Sequence, residues 1–264
     1  MSEESTAERK GLWSQPWVYV MFAITASILL FYALKPVSED DADWVTQIIL
    51  IALAAAASVV FLLVANQFKW FNTKTGQITT LIAVGLILWV IAEILFPFQA
   101  VSFPTIADIF YIAGYIPFAV GLFLYIRTVK MKFKPLTFWI WVGISVALFV
   151  VVLIYEFIPF IEYGIIYPEE SIWSWTVVYP AEDIVILVLV FVLVLKFRSG
   201  EIAKPWIILV IGFIFNAAGD IWFSYLSWYE SELSAYDLYD LFFTLAYVAM
   251  LAAGIYFLWL YKKH

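Results

Sequence analysis

The chain has 264 residues, of which 65% are hydrophobic, 20% aromatic and 13% charged, with a net charge of -7. A water-soluble domain is nearer half apolar and a quarter charged and could not hide this much apolar surface, so much of the chain must face lipid. There is no cysteine and the single histidine is His264, which excludes disulfides, thiolate chemistry, haem ligation, histidine zinc sites and Ser-His catalysis, while the acidic balance without a basic stripe excludes a nucleic-acid partner.

In chain order, residues 1–15 are polar and acidic, not a basic n-region with a cleavage site, and read as a cytoplasmic tail before a single transmembrane domain, 16–264. A bilayer core of about 30 Å needs roughly 20 apolar residues per helix. Eight runs have that length, at about 17–35, 45–66, 77–98, 105–127, 136–158, 176–196, 205–227 and 236–260. The predicted fold class is therefore all-α, a polytopic bundle of eight transmembrane helices in the cell membrane. Arg9, Lys10, Lys69, Lys74, Arg127, Lys130, Lys132, Lys134, Lys196, Arg198, Lys204, Lys262 and Lys263 all fall on one side of such a bundle, and Lys35 alone falls on the other. Positive charge marks the cytoplasmic side, so both termini are expected inside. The opposite loops carry acids, at Glu39, Asp40 and Asp41, at Glu162, Glu169 and Glu170, and at Glu230 and Glu232.

The third and fourth runs are similar to the seventh and eighth. Asp108 and Tyr115 match Asp240 and Tyr247 in spacing, and the preceding runs carry Glu93 and Asp220 toward their outer ends. This pattern predicts a parallel duplication of four helices, with halves 16–130 and 135–264.

A charge inside a membrane helix is expensive and is a functional hypothesis by default. The candidates are Glu93, Asp108, Glu182, Asp183, Asp220, Asp237 and Asp240, all in the outer third of their helices. Structural roles compete with that reading. Thr105 with Asp108, and Ser234 with Asp237, have capping-box spacing, and Pro180, Glu182 and Asp183 suit a first helical turn. Glu93 and Asp220, expected near helix C-termini, and Asp240, expected a turn too deep to cap, resist that account. With Lys35 the only basic residue on that side, these carboxyls must be protonated, share protons, reach water or hold a cation. Asn216 lies one turn from Asp220 on the same face. Tyr111, Tyr115, Tyr179 and Tyr247 can join a carboxyl network, whether structural or ligand-binding. The outer aromatics Trp173, Trp175, Trp222, Trp228, Tyr163 and Tyr167 read mainly as an interfacial belt.

The segment from Pro104 through Asp108, Tyr111, Gly114 and Tyr115, followed by Pro117 and Gly121, resembles a recurring feature of the multi-helix membrane sensor regions of prokaryotic histidine kinases and diguanylate cyclases. Residues 179–183, 218–220 and 239–243 are also similar to that pattern. The resemblance implies sensing. The chain departs from that family in the expected lack of an output domain after the eighth helix, so a signal would pass to a separate protein.

The expectation is a non-enzymatic, sensor-like or ligand-binding membrane protein. Its outward cavity would take a small cation, amine or lipophilic ligand through Glu93, Asp108, Asp183, Asp220, Asp240, Asn216, Tyr115 and Tyr247. Its partners would be the lipid bilayer and a cytoplasmic or membrane signalling protein; no cofactor is expected and a metal is left open. A proton- or cation-coupled secondary transporter is the alternative. An intramembrane aspartyl protease is more remote, because the order of the motifs around Asp220 and Asp240 is reversed and no Pro-Ala-Leu segment exists. A retinal protein is excluded, since no lysine lies between Leu238 and Tyr261 to form a Schiff base.

Overall fold

A computed structural model describes residues 15–98, 105–128, 178–196, 203–229 and 236–263, with isolated helical positions between 139 and 154. Among these residues are seven long helices: α1 (Pro16–Leu34), α2 (Glu39–Gln67), α3 (Lys74–Leu95), α4 (Ile106–Thr128), α5 (Val178–Lys196), α6 (Ala203–Tyr229) and α7 (Leu238–Lys263). Six of them, all but α5, are long and apolar enough to cross a membrane. The chain is thus all-helical and of multi-pass character. The expected run 136–158 lies mostly outside the described residues, as do the expectations that fall on 1–14, 129–138, 155–177, 197–202 and 230–235.

Local chemistry explains most helix ends. Pro16 opens α1, where its missing N–H leaves no donor unpaired, and Lys35 closes it in the left-handed region with its N–H on the Phe31 carbonyl. Residues 38–41 were expected in a loop; instead Ser38 caps α2, with its hydroxyl 2.7 Å from Asp41 Oδ2 and the Asp41 N–H 3.4 Å from Ser38 Oγ. Glu39, Asp40 and Asp41 form the first turn, where negative charge meets the positive end of the helix dipole. Thr73 caps α3 by accepting from the Gly76 N–H at 3.0 Å.

Helices α2 to α7 close a ring in chain order. Each packs on the next, and α7 returns to pack on α2, while α1 lies outside the ring against α7. Accordingly α1 buries only Val18, Met21 and Ile28 and leaves Tyr19, Phe22 and Leu30 exposed. The contacts α3–α4 and α6–α7 are the tightest and pass over glycine. A Cβ on Gly85 would lie 2.6 Å from the Phe118 ring and 2.8 Å from the Gly114 carbonyl oxygen. A Cβ on Gly212 would lie 3.0 Å from Met250 and 3.1 Å from the Ala246 carbonyl oxygen. Small residues let membrane helices approach closely enough for dispersion to hold them, since lipid offers no hydrophobic drive between helices. Inside the ring, Trp89 is fully buried, donates its indole N–H to the Tyr111 carbonyl at 3.0 Å, and meets the rings of Tyr115, Phe118 and Tyr247 edge-on.

Gly85→Val is expected to lower stability by about 1–3 kcal/mol through overpacking, measured by unfolding in detergent micelles. Gly143→Ala, whose added Cβ meets none of the described residues within 4 Å, should leave stability unchanged or raise it by up to about 1 kcal/mol, because alanine is the better helix former.

Candidate functional site

The acids gather at one end of the ring. Helix α3 runs from Lys74 to Glu93, and α4 from Asp108 to Arg127, so these carboxyls and these basic residues mark opposite ends. Glu93, Asp108, Asp183 and Asp220 are only 4%, 3%, 3% and 8% exposed, so bulk water does not solvate them. Each instead meets neutral hydrogen-bond donors.

Glu93 lies in the last turn of α3, where the dipole opposes its charge. Two helices compensate. The Tyr247 hydroxyl of α7 donates to Oε1 at 2.7 Å, and the Gln47 amide of α2 donates to Oε2 at 3.0 Å and to the Glu93 carbonyl at 2.7 Å. Asp108, in the first turn of α4, forms the expected reciprocal cap: it accepts from the Thr105 N–H at 2.6 Å and hydroxyl at 2.8 Å, while its own N–H reaches Thr105 Oγ1 at 3.3 Å. Its second oxygen accepts a short hydrogen bond from the Tyr179 hydroxyl of α5. The Asp108 cap is therefore also a bridge between helices.

A second cluster joins α4, α5 and α6. The Tyr115 hydroxyl lies 2.8 Å from both Asp183 Oδ1 and Asp220 Oδ2. The Asn216 amide, one turn before Asp220, donates to Tyr115 Oη and to Asp220 Oδ2, both at 2.8 Å.

Three sequence expectations change. Helix α6 continues to Tyr229, so Asp220 sits about two and a half turns inside its end, beyond reach of the dipole, which acts within the last turn. Helix α7 starts at Leu238, so Asp240 lies in the first turn and not a turn deeper; Asp237 precedes it, its carbonyl accepting from the Leu241 N–H at 3.5 Å. Helix α5 starts at Val178, which puts Glu182 and Asp183 past the first turn.

Between the clusters lies a cavity of about 70 Å³, and one water needs roughly 10–15 Å³ of such space. It has room for several waters or a small polar headgroup. Glu93, Asp108, Asp220 and Asp240 line it, with Gln47, Asn216 and, among the described residues, no basic one. Trp89, Phe96, Phe223, Phe243 and five tyrosines, including Tyr115 and Tyr247, supply the rest of the wall apart from Leu50. Among the eight predicted site residues, only Asp183 stands outside the lining, behind Tyr115. Neither Asp237 nor Glu182 lines it.

No family model matches the chain, and no curated protein or solved structure does either. The chemistry of the site is therefore read from its own residues. Among the described residues, no group of three or more acidic side chains converges tightly enough to hold a metal ion. The wall offers formal negative charge and aromatic faces instead, a combination suited to an organic cation.

Sequence reasoning missed Gln47, Trp89, Phe96, Phe223, Tyr239 and Phe243. Gln47 carried a signal: it is an amide inside an otherwise oily run, at a depth where polar groups need partners. The aromatic residues carried none that separates a cavity wall from a lipid-facing belt.

Tyr247→Phe removes a side-chain donor on buried Glu93 and should cost about 1–3 kcal/mol. The double variant Tyr247→Phe/Glu93→Leu should lose less than the sum of its parts, as a double-mutant cycle followed by thermal unfolding would measure.

Proposed function

We propose that the protein spans the cell membrane eight times, with both termini in the cytoplasm, and binds a small organic cation in an outward-facing cavity. It acts as a sensor-like receptor that passes the bound state to a separate partner. The single observation that carries the binding reading is a cavity wall with four carboxyls, many aromatic rings and, among the described residues, no positive charge. Carboxylates supply attraction to an ammonium group, and aromatic faces add about 0.5–2 kcal/mol each when desolvated. Outward orientation is supported by the position of Lys74, Arg127 and Lys204 at the end of the helices away from the cavity.

Coupling between two related halves is supported by matched packing. Gly85 and Gly212 each stand eight residues before the acid of their helix, and each faces the carbonyl of the residue before the matched tyrosine and the side chain three residues after it. The tyrosines then cross over. Tyr115 of the first half meets Asp220 of the second, and Tyr247 of the second donates to Glu93 of the first. A ligand among these acids would compete for the hydroxyls that join the halves, and so would alter how the halves pack. The sensor role follows the resemblance of 104–115 and its later counterparts to membrane sensor regions.

The crossed contacts also suit a carrier whose halves rock about a central site. Substrate counterflow in liposomes separates the two: a receptor binds without transport.

Tetramethylammonium and choline, tested against uncharged isosteres, should raise the thermal midpoint saturably in nanodiscs. Asp240→Asn and Glu93→Gln should weaken binding about tenfold or more, since about 1.4 kcal/mol of lost charge attraction is a factor of ten, while Asp237→Asn should leave it unchanged. Protons compete for the same carboxylates, so affinity should fall as pH is lowered. Equal shifts from the neutral isosteres would falsify the cation reading.

A further inference from the structure

The two carboxyl clusters differ in their count of hydrogens. Glu93 receives one donor on each oxygen, from Tyr247 and Gln47, and both contacts are satisfied as they stand. Around Tyr115 the count falls short. Its oxygen lies 2.8 Å from Asp183 Oδ1 and 2.8 Å from Asp220 Oδ2, and a phenol has one hydrogen to place between them. The two hydrogens of the Asn216 amide have three acceptors within reach, Tyr115 Oη and Asp220 Oδ2 at 2.8 Å and Asp183 Oδ1 at 3.4 Å, and cannot fill an oxygen–oxygen contact. One more hydrogen must sit on a carboxyl.

We propose that Asp183 and Asp220 hold one exchangeable proton between them through the Tyr115 hydroxyl, as a proton-binding site behind the cavity wall. Placing it on Asp183 satisfies every contact. Asp183 Oδ1–H donates to Tyr115 Oη, Tyr115 donates to Asp220 Oδ2, and Asn216 donates to both Tyr115 and Asp220. Asp220 then carries the negative charge with two donors on it. The other Asp183 oxygen, Oδ2, is buried with no hydrogen-bond partner among the described residues, which a neutral acid tolerates far better than an ionised one. The surroundings favour retention of the proton. Among the described residues, Glu182 and Tyr179 from α5, Glu93 from α3 and Tyr247 from α7 act electrostatically on Asp220, with Asp108 from α4 and Asp240 from α7 lining the same cavity, and all are acids. Asp220 lines the cavity and Asp183 stands behind it in contact with both Tyr115 and Asp220, so charge entering the cavity acts on the shared proton through these two groups. This site follows from donor counting and stands whether or not an organic cation binds.

Infrared spectroscopy of the full chain in nanodiscs at neutral pH tests it. The parent protein should show a protonated-carboxyl carbonyl band, shifted in heavy water, that Asp183→Asn removes and Glu182→Gln leaves in place. Tyr115→Phe takes away the acceptor and should move the same band to higher frequency, which keeps the test open if Asp183→Asn fails to fold. If Asp183→Asn removes no protonated-carboxyl intensity, or if Tyr115→Phe leaves every such band where it was, the shared proton is overturned.

Discussion

Carboxyl groups buried inside a ring of apolar helices must be answered by something, and among the residues lining this cavity no lysine or arginine answers them. Removing an ion from water carries an effective penalty of several kcal/mol unless partners replace its hydration. Here the replacements are phenols and primary amides. Tyr247 and Gln47 serve Glu93, Tyr179 serves Asp108, and Tyr115 with Asn216 serves Asp183 and Asp220. All but the Asn216–Asp220 bond, which lies within α6, join helices that the apolar packing alone would leave free to slide or rotate, because Leu and Val pack against lipid tails as well as against one another. The polar cluster therefore sets helix register, and the acids are structural before they are anything else.

That requirement explains the placing of the tightest packing. For a phenol on α4 to reach a carboxyl on α6, and one on α7 to reach α3, each bond must cross the interior of the ring. Such a span is possible only if α3 and α4, and α6 and α7, are drawn together as pairs, which Gly85 and Gly212 permit. Trp89 fills the space beneath, touching Tyr115 and Tyr247 and so steadying both phenols at once. A bulky side chain at Gly85 would thus disturb the carboxyl contacts as well as the packing.

Six of the eight expected apolar runs were legible because length and composition alone decide whether a helix suits a bilayer. The acids were legible for the opposite reason, that each is too costly in an apolar run to be incidental. Glu93, Asp108, Asp220 and Asp240 accordingly reach one cavity. Their partners were harder to read. Gln47 is an amide whose burial costs less than a charge, and nothing in a single sequence says that α2 turns it toward α3. The end of α2 was misread because Glu39, Asp40 and Asp41 look like a solvated loop, yet after Ser38 they make a favourable first turn. The depth of Asp240 was misread because helix α7 starts later than its hydrophobic run, leaving Tyr236 before the helix. There Tyr236 donates its hydroxyl to the Val37 carbonyl at 2.9 Å and accepts from the Val37 N–H at 3.3 Å.

The two clusters occupy corresponding places in the ring. Gln47 stands on α2, which packs on α3 and α7; Asp183 stands on α5, which packs on α6 and α4. Gln47 meets Glu93 of α3, and Asp183 meets Asp220 of α6 and Tyr115 of α4. If the halves are related as proposed, the main chemical difference between these two places is an amide in one and an acid in the other. An amide brings its own hydrogens, so the contacts of its cluster are filled without a shared proton. An ionised acid brings none, and its cluster must borrow a hydrogen from solution. Two related halves would thereby acquire unlike hydrogen counts without any change of fold: under the shared-proton proposal, the pairing in the second half depends on a proton taken from solution, and the pairing in the first does not.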